Sequence, residues 1–379
     1  MGIPMRIAFI YDSIPPWKKG GIETRLFELS MRLTQLGHEV HFFGLKWWNG
    51  KRNIEINGVY YHGVGNPREL YINGRRSISE AIYFARRLIY PLIRESNIDV
   101  IDCQEFPYFS CFSSKFASYV RSIPLMITWH EVWRDYWADY LGKLGIFGKF
   151  VEKSLVNLSV YHIAVSRKTK RDLHALGVRN IKLLSNGIDF TKIQRVPSVD
   201  EEWDIIFAGR LIKEKNVALL IKALSLLKME IPDISAVIIG DGPEREKLEA
   251  LTRQLDLTGN VEFKGFLPKH EDVIAHMKSS KVFVFPTVRE GFGISALEAN
   301  ASGIPVVTTS HPMNAAKDLI IDGKNGFLAK PIPEDFSEKI LYVLAHSSRK
   351  MKKGSLNVAK KYDWEYIVRD YVGYLETIV

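Results

Sequence analysis

Cysteine is nearly absent: Cys103 and Cys111 are the two thiols in a chain of 379 residues. Two thiols build neither a disulfide framework nor a four-ligand zinc site. No apolar run approaches the roughly 20 residues that span a bilayer. The opening segment runs straight into a strand-like stretch, without an apolar signal core or a small-residue cleavage site. Gly2 fails as a myristoylation signal, because Arg6 stands where Ser or Thr is required. A cytoplasmic chain is expected. The sequence has no Gly-x-Ser-x-Gly elbow and no Gly-Lys-Thr/Ser phosphate loop, which argues against nucleophile-elbow hydrolases and P-loop nucleotide hydrolases. His130-Glu131-Val132-Trp133-Arg134 starts like a zinc-protease helix, but Arg134 replaces the second ligand.

What is present is an ordinary globular composition, with 46% hydrophobic and 25% charged residues. At about 150 residues per domain, the length predicts two domains. The net charge of +9 is unevenly divided: residues 1–195 hold 28 Lys and Arg against 17 Asp and Glu, a net of +11, and the remainder holds 24 against 26, a net of −2. A basic first half points to nucleic acid, an anionic membrane face, a phosphorylated substrate or simply a solvated surface.

Hydrophobic periodicity supplies the architecture. Arg6–Tyr11 reads as a buried strand, followed by the Pro/Gly loop 14–21 and a helix from Glu23 to Leu36 that stops at Gly37. Val40–Gly44 is the next strand, so the unit is βαβ and its sheet parallel. Further strands are expected at Asp99–Asp102, Leu125–Thr128 and His162–Val165. In the second half, strands at Ile205–Ala208, Ala236–Ile239, Val261–Phe263, Val282–Phe285 and Pro305–Thr308 alternate with five helices. Pro197 and Asp200–Glu202 form the best linker. The expected division is 1–196 and 197–360, with a final amphipathic helix in 361–379. Two doubly wound Rossmann-like α/β domains would bind ligands beyond the carboxyl ends of their strands, with a cleft between the domains as the expected site.

Three strand-to-helix turns carry the candidate chemistry. In Arg289-Glu290-Gly291-Phe292-Gly293-Ile294-Ser295-Ala296-Leu297-Glu298, two glycines admit close backbone approach and a helix start offers amides to phosphate. Eight helical residues would separate Glu290 from Glu298 by about 12 Å. That exceeds the carboxyl spacing of glycosidases, so the two should grip different parts of one ligand. Gly209-Arg210-Leu211 and Lys215 place two cations after a strand, a fork and a point charge suited to a diphosphate. Gly240-Asp241-Gly242-Pro243 lacks the last glycine of the dinucleotide fingerprint and reads as a tight turn.

Taken in order along the chain, these residues resemble the retaining glycosyltransferases of family four (glycosyl transferases group 1), whose architecture is the two-domain GT-B fold. Gly20-Gly21, Val165-Ser166, Ser185–Asp189, Arg210, Lys215, Glu290, Glu298, Ser302–Val307 and Tyr362–Glu365 carry the resemblance. It implies transfer of a sugar, of hexosyl type, from a nucleotide-diphosphate donor to an acceptor hydroxyl with retention, using neither metal nor organic cofactor. The absence of any Asp-x-Asp pair agrees, since that is the metal clamp of the other large glycosyltransferase fold. By resemblance, Glu298 holds the ribose hydroxyls and Glu290 those of the transferred sugar. The backbone of Gly291, Phe292, Gly293 and Ile294 contacts sugar and phosphate. Arg210 and Lys215, beside Gly209, neutralise the leaving diphosphate, and Gly20 and Gly21 approach it from the first domain. His130 aligns with a histidine beside the sugar, and the helix in 361–379, which begins at Tyr362–Glu365, packs back on the first domain. Many members carry a further histidine near Asp102-Cys103-Gln104, and this chain does not.

Two other function classes fit the same residues less fully. One is a sugar-nucleotide epimerase of similar fold, which needs no acceptor. The other is a non-catalytic sugar-nucleotide or nucleic-acid binding protein using the basic half. Partners expected are a nucleotide-sugar donor and a sugar or lipid-linked acceptor. A peripheral membrane contact through the first domain is expected from its charge, from Lys46-Trp47-Trp48, and from the aromatic and basic residues between Trp129 and Lys153. The competing reading of those aromatics is a soluble acceptor cleft or the domain core.

Overall fold

The computed structural model describes residues 3–72, 75–346 and 349–379; Gly2, weighed above, lies outside them. The chain divides into two compact units, 1–185 with 365–379, and 186–364.

The first unit opens with β1 (Arg6–Ile10), α1 (Gly21–Gln35), β2 (Glu39–Leu45) and the hairpin β3 (Asn53–Ile56) and β4 (Val59–Gly65). A two-stranded ribbon, β5 (Tyr71–Ile72) and β6 (Arg75–Arg76), leads into α2 (Ile78–Arg94). Then follow β7 (Val100–Gln104), α3 (Phe109–Arg121), β8 (Leu125–Trp129), α4 (Tyr136–Leu141) and α5 (Gly145–Leu155). The run ends with β9 (Tyr161–Ala164), α6 (Arg167–Ala175) and β10 (Ile181–Leu183). Eight strands form one sheet in the order β10-β9-β8-β7-β1-β2-β4-β3. All its pairings are parallel except β3 with β4. The chain builds outward from β1 to one edge, then returns beside β1 with β7 and builds to the other. Its topological switch lies between β1 and β7, where ligands bind in doubly wound sheets.

The second unit holds α7 (Phe190–Arg195), β11 (Trp203–Ala208), α8 (Val217–Glu230), β12 (Ala236–Ile239), α9 (Arg245–Gln254), β13 (Val261–Gly265) and α10 (His270–Lys278). It continues through β14 (Ser280–Phe285), α11 (Ile294–Ala301), β15 (Val306–Thr309), β16 (Gly326–Ala329), α12 (Pro333–His346) and α13 (Arg349–Lys360). Its six strands run β13-β12-β11-β14-β15-β16, all parallel, with the switch between β11 and β14. The central strands are apolar on both faces, as a sheet covered by helices on both sides requires.

The division falls earlier than the expected 196/197. Residues 186–196 are held inside the second unit: Gln194 donates to the Ala301 carbonyl, Lys278 donates to the carbonyls of Gln194 and Val196, and Lys192 pairs with Glu271 at 2.6 Å. Polarity at Asp200–Glu202 reflects an exposed loop, not a boundary. The chain leaves this unit beside the point where it entered. Ile188 and Asp363 form a parallel bridge, and Gly187 lies so close to the Trp364 indole that a Cβ would come within 2.5 Å of it. The last helix, α14 (Trp364–Leu375), belongs to the first unit from Glu365 onward.

The aromatic cluster of the first unit splits in two. Trp129, Trp133 and Trp137 are buried and form part of the core. Gly145 and Gly148 let α5 lie directly on Trp137; a Cβ at Gly148 would sit 2.3 Å from its ring. The opposite side of that segment leaves Leu144, Ile146, Phe147 and Phe150 exposed, alongside Lys143 and Lys153.

Candidate active site

In the second unit, the expected donor residues gather at the β11/β14 switch. The loop after β11 is stitched to the loop after β14: the Glu214 carbonyl accepts from Val288 N at 2.9 Å and from Thr287 Oγ1 at 3.0 Å. This brings Lys215, at the end of a 3-10 turn, against Glu290, and the two side chains form an ion pair and hydrogen bond. The Glu290 backbone is fixed in turn by Met313 and Ala315, through Glu290 N to Met313 O at 3.1 Å and Ala315 N to Glu290 O at 2.9 Å. Asn314, fully buried, donates to the Thr309 carbonyl and accepts from Ala316 N, so the platform beneath Glu290 is rigid.

Burial alone would raise the Glu290 carboxyl. The Lys215 charge and hydrogen bond, together with the amides of Phe292 and Gly293, outweigh it and hold the group below its ordinary value. The carboxylate is therefore ionised, and two of the amides expected to meet phosphate face it instead. Gly293 caps α11 with φ of +99°, and a Cβ there would meet that of Ala316 at 2.5 Å. Only glycine fits this position. Gly291 lies in the bend just before it, and Ile294 opens the helix with its positive dipole end.

Because α11 begins only at Ile294, the four residues from Glu290 to Gly293 are not helical, and the expected rise of eight helical residues does not apply. Glu298 receives Nε2 of His270 at 2.8 Å, and that hydrogen bond and the carboxylate charge raise the His270 imidazole above its ordinary value. Sequence reasoning missed His270, because it lies 28 positions away on another helix. Arg210 is exposed, just after β11 and Gly209. The turn Gly240–Gly242 packs its backbone on this loop: Gly240 has φ of +129°, and a Cβ there would reach the Gly209 carbonyl at 1.9 Å. It is a supporting turn, as its sequence suggested.

In the first unit, the expected residues follow β1 and β8. Gly20 caps α1 in an extended conformation, and Gly21 is the first helical residue. His130 follows β8 and is buried. Its Nε2 lies 2.9 Å from Gln104 Oε1, while Gln104 Nε2 donates to Asp102 Oδ1 at 3.1 Å. Since the amide oxygen is the atom facing His130, Nε2 carries the proton and Nδ1 the lone pair. Burial, reinforced by the Arg25 charge, pushes this imidazole down to about 3, so it is neutral. Asp102 also accepts from Thr128 Oγ1 at 2.7 Å and from the Tyr371 hydroxyl on α14 at 2.8 Å. Glu105, the residue after Gln104, accepts the amides of His130 and Glu131 at 3.0 and 3.2 Å and fixes the turn after β8.

The family described as glycosyl transferases group 1 matches residues 189–358, and that described as glycosyltransferase family 4 matches residues 19–192. An uncharacterized glycosyltransferase of Methanocaldococcus jannaschii is 27% identical over 97% of both chains. A phosphatidylinositol N-acetylglucosaminyltransferase chain of Arabidopsis thaliana is 23% identical over 96% of this chain and 80% of its own. The crystal structure of Anabaena HepE in complex with UDP and glucose superposes with a TM-score of 0.76 at 18% identity, over 98% of this chain and all of that one. The chain is a glycosyltransferase of group 1, family 4, with the GT-B fold.

Proposed function

We propose that this glycosyltransferase moves a hexosyl unit from a nucleoside-diphosphate sugar to a hydroxyl of a lipid-linked or other glycoconjugate acceptor, with retention of configuration and without a catalytic metal. The observation that carries the donor half is the Lys215–Glu290 pair beside the N-terminus of α11. A diphosphate arriving there meets the Lys215 ammonium, the exposed Arg210 guanidinium and the helix dipole, three positive features that offset its charge without a divalent ion. Sharing Lys215 with the phosphate releases Glu290 to accept hydrogen bonds from the sugar. Glu298, oriented by His270, keeps a second oxygen for the ribose hydroxyls. As the glycosidic bond to the diphosphate breaks, Arg210 and Lys215 stabilise the charge left on the phosphate. The acceptor oxygen bonds to the anomeric carbon on the face the nucleotide leaves, and its proton passes to the departing phosphate oxygen. His130, neutral and with Nε2–H committed to Gln104, acts as a hydrogen-bonding wall.

The first unit supports the acceptor half. No described helix is long and apolar enough to cross a membrane. Leu144, Ile146, Phe147 and Phe150 nevertheless stand in water beside Lys143 and Lys153, a composition suited to an anionic lipid surface. The name of the Arabidopsis relative specifies a lipid acceptor, and HepE was crystallised with UDP and glucose, which favours that class of substrate here.

The test is a donor screen with UDP-, GDP- and ADP-sugars, followed by product analysis. Nucleotide release should depend on an added acceptor and survive chelator, and NMR should show the donor's anomeric configuration in the product. Acceptor-independent epimerisation, or an inverted linkage, overturns the reading. Co-sedimentation should favour anionic over neutral vesicles and weaken in Phe147→Ser/Phe150→Ser; equal binding to both vesicle types removes the membrane part.

A further inference from the structure

A second group of chemically competent side chains lies at the outer end of the first unit's sheet, apart from every residue used above. On β2, Phe43 and Leu45 point to the face covered by α2, where they meet Phe84, Leu88 and Leu92. Two residues back along the same face, where the apolar seam should continue, stands His41. On the neighbouring β4, Val64 lies on that face, and two residues back stands His62. The helix closes the seam with Glu95, its C-cap. A contact between sheet and helix that is apolar along its length therefore ends in two buried imidazoles and a carboxylate.

The geometry is specific. His41 Nε2 lies 2.7 Å from Glu39 Oε1, so that nitrogen carries a proton for the carboxylate and Nδ1 presents its lone pair inward. That Nδ1 is 3.0 Å from His62 Nε2. Whichever nitrogen of neutral His62 carries its proton, one contact is left acceptor against acceptor: Nε2 with His41 Nδ1, or Nδ1 with Glu95 Oε2 at 3.8 Å. The chain of four groups is short of one positive centre. Both imidazoles are clamped in plane: His62 stacks on Phe43 at 4.4 Å and 7°, and His41 on Tyr60 at 5.2 Å.

We propose that His41, His62 and Glu95 bind one divalent transition-metal ion, zinc by the character of the donors, with Glu39 orienting His41. One ligand atom from each of the three residues can be chosen so that all lie within 4.8 Å of one another. Two imidazole nitrogens 3.0 Å apart can both sit roughly 2.0–2.1 Å from a common ion, the ordinary zinc–nitrogen distance. Two histidines and a carboxylate are a zinc donor set, and a carboxylate behind a ligating histidine is its usual support. The C-terminal end of α2 adds a partial negative charge. The guanidiniums nearby are engaged elsewhere, Arg52 on the carbonyls of Gly63 and Val64 and Arg94 on the Tyr90 hydroxyl. An open cavity of about 380 Å³ adjoins His62 and Glu95, giving the ion an entry path and room for a water ligand. The site would tie α2 to strands β2 and β4, a structural task separate from sugar transfer.

The experiment uses the full chain, freed of affinity tags and treated with chelator, then titrated with zinc and with cobalt. Calorimetry should give one zinc per chain, the melting temperature should rise on zinc addition, and the cobalt form should show the visible bands of a low-coordinate nitrogen–oxygen site. Glu95→Gln, a change at the partly exposed ligand, should weaken zinc binding at least about tenfold, and Glu39→Gln by about 10–100-fold, as for loss of a supporting carboxylate. His62→Gln should abolish it. No stoichiometric zinc binding by the wild-type chain, or an affinity unchanged in both Glu95→Gln and His62→Gln, overturns the proposal. Because the readouts are metal content, melting and spectrum, the result stands whatever the sugar-transfer assays give.

Discussion

Lys215 and Arg210 look equivalent in the sequence, two cations on one loop, and the structure separates them. Arg210 is exposed, whereas Lys215 is the partner of a largely buried carboxylate. Both substitutions to Ala should lower turnover by roughly 10²–10³-fold, the scale of losing one transition-state donor. Their effects on stability should differ. Arg210→Ala should leave urea unfolding unchanged. Lys215→Ala should cost about 1–3 kcal/mol, below the ~3–5 kcal/mol of a fully buried broken pair, since the two side chains retain 15% and 17% exposure. Glu290→Gln added to Lys215→Ala should recover part of that loss; no recovery would mean that the pair does not hold the loop. The sequence made these residues visible because each sits in a strand-to-helix turn with a distinctive local pattern. Gln104 and His270 were not visible, because their partners His130 and Glu298 come from other elements and no local pattern announces them.

Among elements, the reading from hydrophobic periodicity succeeded where burial is two-sided and regular. Strand Ala236–Ile239 agrees with its expected bounds, and the other expected strands agree within two residues. It passed over α2 and α3, whose buried stripes are blurred in the sequence by apolar residues on the other face: Ile78, Ile82 and Tyr90 on one, and Phe112, Phe116 and Tyr119 on the other, are exposed, and Pro91 lies inside α2. The start of α2 carries its own consequence. Ser77 caps the helix by accepting Glu80 N at 3.2 Å, while the Glu80 carboxylate turns to Arg76, which also pairs with the fully buried Asp12. Desolvation pushes Glu80 up to about 7, against the pull of Arg76 and Arg68. A carboxyl that binds its proton more tightly when folded gives stability that is complete below its ordinary value of 4.5 and lost as pH rises through about 7. Thermal melts should therefore fall between about pH 5 and pH 8 for the wild type, and the slope should flatten in Glu80→Gln. An identical slope in the variant would remove Glu80 as the source.

On the scale of the whole chain, the net excess of positive charge lies in the first 195 residues, and the exposed apolar segment around Phe147 lies in the same half. The two-unit organisation was legible from composition and repeat grammar; the position of the junction was not, because residues 186–196 owe their place to the carbonyls and side chains they meet in the second unit. The return of α14 links distant parts of the first unit, since the Tyr371 hydroxyl reaches Asp102 across 269 positions. Removing that hydroxyl in Tyr371→Phe leaves a buried carboxylate short of one donor and should cost about 1–3 kcal/mol. The same variant should raise KM more than it lowers kcat, because Asp102 holds Gln104 and thereby His130. A variant with unchanged stability and kinetics would show that the chain of contacts ends at Asp102.

That long-range tie also sets an order of events during synthesis. Segment 186–364, the second unit, is a continuous stretch and has all its residues as soon as Trp364 clears the ribosome. The first unit is begun earlier and completed later, since Val368, Tyr371 and Leu375 of α14 are among its buried side chains. Until those residues emerge, the nascent first unit carries an uncovered apolar strip and a half-coordinated Asp102. The domain translated first is therefore the last to finish folding, and it is the one a chaperone would be expected to shelter.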